Sequence, residues 1–340
     1  MKVIGAGRAA DVGRRVMATR RRRRGTWIAV LPLLVSAACS GAGSTPDDGT
    51  VRVGYLPIIA ELPLFVAVEN GHFAAQDLDV ELVRFESSPA ASVALLAGEV
   101  DAVASIATAT ALSIEARDPG SIQFFALDAE DTEDCLSAIV ANPDAGVSDI
   151  ADLRGQTVGI FPGPTAATFY DLVFEQHGLD PDLDLTTIEL EPSLQLPALR
   201  DGQFDVLATY EPIATTAALQ DGAVRVADCP IERTVGAPWQ AGSWILSDEF
   251  ARAHPGDAEG LVDGVYSAID DLRAEPDAAR PFLAEYTSIP ADVASSVPVL
   301  PITKAGEMDV AALDEHMRTL HDAGVLGAEV DVSALVVVGD

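Results

Sequence analysis

Along residues 51–127 the apolar positions change period repeatedly, and each change marks an element. Val51–Leu56 is an apolar run interrupted only by Arg52 and Gly54, which predicts a strand. Leu62–Asn70 reads as a helix, with Gly71 suited to the left-handed position that ends one. Asp79–Phe85 alternates Val80, Leu82 and Phe85 with charge, a second strand. Ser88-Pro89 then opens a helix, Ser as cap and Pro in the first turn, and Gly98 closes it. Asp101–Ser105 is a short strand, Thr108–Arg117 a helix and Ile122–Leu127 another strand. Strands alternating with helices predict an α/β lobe whose sheet is mixed, mostly parallel and flanked by helices.

The same grammar returns about a hundred residues later. Val53-Gly-Tyr-Leu-Pro57 recurs as Val158-Gly-Ile-Phe-Pro162, and Gly98-Glu-Val-Asp101-Ala-Val-Ala104-Ser105 recurs as Gly202-Gln-Phe-Asp205-Val-Leu-Ala208-Thr209. Each Gly ends a helix and each apolar triplet after Asp is an inner strand. The hydroxyls of Ser105 and Thr209 then emerge at carboxyl ends, where open α/β sheets bind ligands. Two such lobes leave a cleft between them.

The acidic stretch Asp128–Asp134 carries no strand pattern and reads as the first crossing between lobes. The return falls around Trp239–Ile245, where Gly236, Pro238 and Gly242 interrupt structure. Helices over Asp257–Ala274, Asp277–Tyr286 and Asp309–Ala323 are expected to buttress the first lobe. The resulting division is a leader over 1–38, a tether over 39–50, a first lobe from 51–130 with 246–340, and a second lobe over 131–245.

Charge sharpens this picture. The 340 residues carry a formal net charge of −32, yet residues 1–38 hold nine basic groups and one acidic group, so the remainder stands at −40. Such a surface repels phosphate backbones and excludes a nucleic-acid partner. The run Arg20–Arg24, a dozen apolar residues and small residues before Cys39 describe a secretory signal, too short to span a bilayer at ~20 residues. Ser36-Ala37-Ala38-Cys39 resembles a bacterial lipobox, which implies a diacylglyceryl thioether on Cys39 and a cell-membrane anchor on the extracytoplasmic face. The following Ser40–Thr50 is rich in Gly, Ser, Thr and Asp and reads as a flexible tether.

Enzyme chemistry finds little purchase. No G-x-S-x-G elbow, P-loop or H-E-x-x-H is present. Beyond the leader there is one lysine, Lys304, expected in the helical tail, and five scattered histidines make a poor metal set. With Cys39 lipidated, Cys135 and Cys229 remain as an even pair in an oxidising compartment and are expected to form a disulfide near the crossings. No cofactor or metal is expected.

Ligand-binding candidates lie in loops at strand carboxyl ends: Ile59, Glu61, Ser87, Ser88, Ser105 and Thr108 in the first lobe, and Gly163, Thr165, Ala166, Thr168, Tyr210 and Glu211 in the second, with Trp239 available for stacking. Several sit at helix starts, where free N–H groups favour a negative ligand group. These loops contain no Arg or Lys, however, while Glu61 and Glu211 supply carboxylates. Both an anion held by amides and an amine or aminopyrimidine held by Glu211 therefore remain open.

V-G-Y-x-P at 53–57, Ala67-Val-Glu-Asn-Gly-His-Phe73, Leu78–Leu82, Ala97–Ala102, Asp152–Gly159 and Tyr210-Glu-Pro212 together resemble the solute-binding proteins of ABC importers for nitrate, sulfonates, taurine and thiamine-pyrimidine precursors. The resemblance spans roughly residues 51–330. It implies a two-lobe, class II periplasmic-binding-protein-like fold with two crossing segments as hinge. It further implies a monomer that closes on a small solute and delivers it to permease and ATPase subunits. The family's ligand loops fall on Gly163–Thr168 and Ser87-Ser88. The cysteine-rich motif of yeast-type pyrimidine synthases is missing, and the arginine of some sulfonate binders has no counterpart in these loops. A chorismate-dehydratase-like lyase on the same fold and a ligand sensor for a membrane receptor are the other functions such a chain could serve. Mass spectrometry of the membrane-associated protein is expected to find residue 39 first and acylated; an unmodified N-terminus elsewhere would refute the anchor.

Overall fold

The computed structural model describes residues 49–287, 289–322 and 324–336. The leader, Cys39 and the tether as far as residue 48 lie outside the described residues. Thr50, assigned to the tether from sequence, already opens the first strand.

In chain order the first lobe begins with β1 (Thr50–Tyr55), α1 (Leu62–Glu69), β2 (Asp79–Arg84), α2 (Ser88–Leu96), β3 (Ala102–Ala107), α3 (Thr108–Arg117) and β4 (Ile122–Asp128). The chain then builds β5 (Ser137–Ala141), β6 (Thr157–Ile160), α4 (Pro164–Gln176), β7 (Thr186–Glu189), α5 (Pro192–Arg200), β8 (Val206–Tyr210), α6 (Ile213–Gln220), β9 (Val224–Asp228) and α7 (Pro230–Val235). It returns through β10 (Gly242–Ser247), α8 (Asp248–Ala253), α9 (Pro255–Ala274), α10 (Pro276–Tyr286), α11 (Ala291–Ala294), β11 (Ile302–Lys304) and α12 (Val310–Asp322). Lys304 thus ends a strand, where its Nζ reaches Asp270 at 2.6 Å, instead of standing in a helical tail.

Two sheets result, ordered β11-β4-β10-β3-β1-β2 and β7-β6-β8-β5-β9. The internal repeat is carried down to register: Val53 and Gly54 pair with Ala102 and Val103, while Val158 and Gly159 pair with Val206 and Leu207. In each lobe the repeated motif is the middle strand of a parallel three-strand unit. Parallel pairing does not dominate beyond those units. β10 runs antiparallel to both β3 and β4, β11 to β4, and β5 to both β8 and β9. The reason is topological. β5 and β10 each arrive by a crossing from the other lobe, so they enter at the edge where β8 and β3 end and must run the opposite way.

Side-chain chemistry explains the layers. Leu62, Leu64, Phe65 and Val66 are at most 1% exposed, so α1 is apolar on every face, as a helix buried between sheet and helices should be. Phe65 stacks on Tyr286 of α10 with centroids 4.4 Å apart, and α9 also packs on α1. The capping expectation needs one correction. Ser87, with extended backbone, accepts the Ala90 N–H at the start of α2, so Ser88 lies inside the first turn. Its hydroxyl is free to accept the N–H of Ala107 at 3.1 Å, tying α2 to the end of β3.

Gly54 and Gly159 occupy equivalent places, and in both an aromatic ring lies against the strand. A Cβ on Gly159 would stand 2.5–2.9 Å from three carbons of Phe204. Gly159→Ala is expected to destabilise the protein by about 1–3 kcal/mol through overpacking, read as a lower urea midpoint at unchanged slope.

Candidate functional site

Carboxyl ends of β1, β3, β6 and β8 converge on a small cavity that is partly open to solvent. Its apolar wall includes Leu56 and Ile58 after β1, Phe161 after β6, Phe169 on α4, Tyr210 at the end of β8, and Trp239. Phe161 and Tyr210 lie 4.7 Å apart by ring centroids.

The floor is made by the two crossings, 129–136 and 236–241. They pair with one another: the Glu130 N–H donates to Trp239 O at 2.8 Å, and the Trp239 N–H donates to Glu130 O at 2.7 Å. This two-residue ladder sets both side chains at the cavity. The Trp239 indole is wedged between Phe169 of the second lobe, edge-on at 4.8 Å, and His316 of α12, stacked at 3.8 Å. Burial holds the His316 imidazole down at about 3, so a neutral ring backs the indole at physiological pH.

Three carboxyl groups line this cavity, Asp128, Glu130 and Glu232, and among the described lining residues there is no Lys or Arg. Asp128 Oδ2 accepts the Ser105 hydroxyl at 2.5 Å, and its Oδ1 accepts the Trp244 Nε1–H at 3.1 Å. Burial nevertheless raises it to about 6, against these hydrogen bonds. Glu130 is fully buried; its Oε2 accepts the Leu136 N–H at 2.7 Å, while Oε1 has no protein partner. Desolvation and then the neighbouring Glu232 push Glu130 well above the ordinary carboxylate range. Glu232 is raised by burial too, partly offset by hydrogen bonds from Glu130 and from the Ser137 hydroxyl, 2.6 Å away. Two adjoining buried carboxyls do not both ionise readily without a compensating positive charge near them.

The structure brings five of the sequence candidates to this cavity: Ser88, Ser105, Thr165, Tyr210 and Trp239. The others serve the scaffold around it. Ser87 is the α2 cap, Thr168 bonds back to Pro164 O, and Ala166 is buried within α4. Thr108 shares a hydrogen bond with Ser243 at 2.7 Å, and Gly163 donates its N–H to Glu189. Ile59 donates its N–H across the cleft to Glu211 O at 3.3 Å. Glu61 turns inward onto the Leu56 N–H, where burial raises it strongly. Glu211, expected to meet an amine, instead pairs with Arg225 at 2.9 Å and accepts the Thr215 N–H at the start of α6. A permanent guanidinium and a helix amide on its own lobe satisfy it. Thr209, the repeat partner of Ser105, likewise turns away, to Gln195.

Cys135 and Cys229 are bonded to each other, bracketing the paired strands β5 and β9. With Glu232 they bring potential metal-ligand atoms within 4.8 Å of one another, but sulfurs in a disulfide offer no thiolate. Among the described residues no helix is long and apolar enough to cross a membrane.

Comparison with known proteins adds context. The profile of the NMT1-like family matches residues 44–288. A protein of Bacillus subtilis (strain 168), named for binding aliphatic sulfonates, is 23% identical over 208 residues; the match spans 59% of this chain and 60% of that relative's length. The alkanesulfonate-binding protein of Xanthomonas axonopodis pv. citri, solved with MOPS, superposes with a TM-score of 0.68 at 19% identity over 84% of this chain and 97% of its own. The periplasmic nitrate-binding protein of Synechocystis PCC 6803 gives 0.66 at 15% identity, covering 86% of each chain. These likenesses share the periplasmic-binding-protein fold.

The acid groups have a consequence for stability. A carboxyl raised in the folded state favours folding below its unfolded value and loses that contribution as pH rises through the folded one. For Asp128 the window runs from about 4 to about 6, and the loss is about 2–3 kcal/mol. Glu307, held down at about 2 chiefly by Arg273, acts in the opposite sense at lower pH. Asp128→Asn is therefore expected to flatten the decline in urea stability between pH 4 and 7, whereas an unchanged profile would show that Asp128 ionises freely.

Proposed function

This chain belongs to the NMT1-like family, and from that premise we propose that it is the solute-binding component of an ABC importer, tethered at the extracytoplasmic face through Cys39. It captures a small polar organic solute by hinge closure and presents the closed form to permease and ATPase subunits as a monomer. The observation that carries this reading is the cavity itself. Its walls come from both lobes, its floor is the pair of crossings, and the lobes also touch through the buried hydrogen bond from Ile59 N–H to Glu211 O. A ligand bonded to both walls favours the closed state by its differential affinity for it.

Relatives named for sulfonate and nitrate binding support the importer role. The lining groups favour a different ligand. A sulfonate would face three carboxyls without a cationic partner, while a solute rich in N–H donors, such as an aminopyrimidine-like ring, would find acceptors and flat aromatic walls. The importer reading thus comes with a preference for the N–H-bearing of the two ligand kinds left open by the sequence.

Thermal-shift screening of the purified protein against sulfonates, nitrate, carboxylates, aminopyrimidines and amines tests this. A ligand at 100 times its Kd adds about 2.7 kcal/mol. The expected outcome is a shift with an N–H-bearing class accompanied by a smaller radius of gyration in X-ray scattering. Silence from every class would remove the solute-binding assignment.

A further inference from the structure

Two independent features of the cavity bear on the charge of its ligand. One is an orphan acceptor. Glu130 Oε1 is buried beside the cavity and accepts no N–H or O–H from the protein, its neighbour being the equally acidic Glu232. The other is the wall: Phe161, Phe169, Tyr210 and Trp239 present aromatic surface around the same space. Aromatic faces attract cations, the more so when water is excluded.

Resting on the solute-binding reading, we propose that the cleft takes a small organic ammonium ion, whose N–H groups donate to the Glu130–Glu232 carboxyl pair and displace the proton that the pair otherwise shares. The balance is simple. The ammonium keeps its own protons, the carboxylic acid O–H bond breaks, and one proton leaves to solvent, so the pair goes from neutral-plus-ionised to doubly ionised around the cation. No covalent bond to the ligand forms.

Most titratable groups near the pair add negative potential or stay neutral, and one cation opposes them. Asp128 at the end of β4 adds negative potential both to Glu130 and to Glu61. Tyr170 of α4 and Tyr210 of β8 are both raised, first by burial, and feel the two glutamates. Arg233 of α7 lowers Glu232 somewhat, but its guanidinium is committed to Asp228 O and Thr132 O. His316 faces the far side of Trp239 and stays neutral. An incoming cation is therefore the charge that this surrounding lacks.

The experiment is calorimetry of the purified protein with isobutylammonium and benzylammonium as probes, set against benzyl alcohol and benzenesulfonate as neutral and anionic controls. Titration in two buffers of different ionisation enthalpy counts the protons released. The expected result is binding of an ammonium probe at pH 8, with affinity falling about tenfold per pH unit on the acid side and roughly one proton released per ion within that falling range. Glu130→Gln keeps the acceptor for the Leu136 N–H but removes the charge, and should abolish both the pH slope and the proton release. The wild-type proton count stands even if that variant folds poorly. Preference for the sulfonate or the alcohol, or ammonium binding without proton release, overturns the ammonium proposal and leaves solute binding intact. Binding of neither ammonium probe at pH 8 also overturns it. The solute-binding reading falls only if the broader stability screen is silent too.

Discussion

Two backbone hydrogen bonds between Glu130 and Trp239 organise the molecule. They join the two segments by which the described chain passes between its sheets. They also place a carboxyl and an indole side by side at the cavity floor. The reversed direction of β5 and β10 follows from the same crossings. Each strand enters its sheet from the cleft edge, which is why both sheets are mixed although their repeated cores are parallel. Indole packing against Phe169 from one lobe and His316 from the other means that the hinge is braced by side chains from both.

Acidity is the second organising constraint. Outside the cavity lining some carboxylates have guanidinium partners, as Glu211 has in Arg225 and Glu307 in Arg273. At the cavity, Asp128, Glu130 and Glu232 have hydroxyls, an indole N–H and backbone amides, but no cation. Desolvation then favours their neutral forms. A cleft of carboxylic acids with aromatic walls differs in chemistry from one suited to sulfonate, although the fold around it is shared with sulfonate and nitrate binders. Fold and ligand are separable here, because ligand contacts come from loops that the sheets merely position.

Much of the architecture was legible because it rests on local signals. Helix-ending glycines at 71, 98 and 202, the Val-Gly motifs and the Asp-led strands are read from spacing, and their registers repeat in the two sheets. The site was harder, for a physical reason. Asp128 and Glu130 open an acidic run that, taken alone, has the composition of a solvated linker; Asp128 is buried as the end of β4 against β11, and Glu130 by a bridge to residue 239, more than a hundred positions away. Glu232 sits in a short helix whose cleft-facing side is set by the disulfide-linked neighbourhood of Ser137. Conversely, Glu211 looked available because the sequence does not show that β9 brings Arg225 to it. Crossing segments of a two-lobe protein form the cleft floor, and that topological fact is the signal that points to Asp128 and Glu130.

The Glu130–Glu232 pair is expected to keep one proton at neutral pH. Infrared difference spectroscopy reads it directly, through the carbonyl stretch of a protonated carboxyl and its shift in deuterium oxide. The ligand-free protein at pH 7 should show a buried protonated-carboxyl band that Glu130→Gln diminishes. A spectrum in which every carboxyl is ionised at pH 7 would contradict the account.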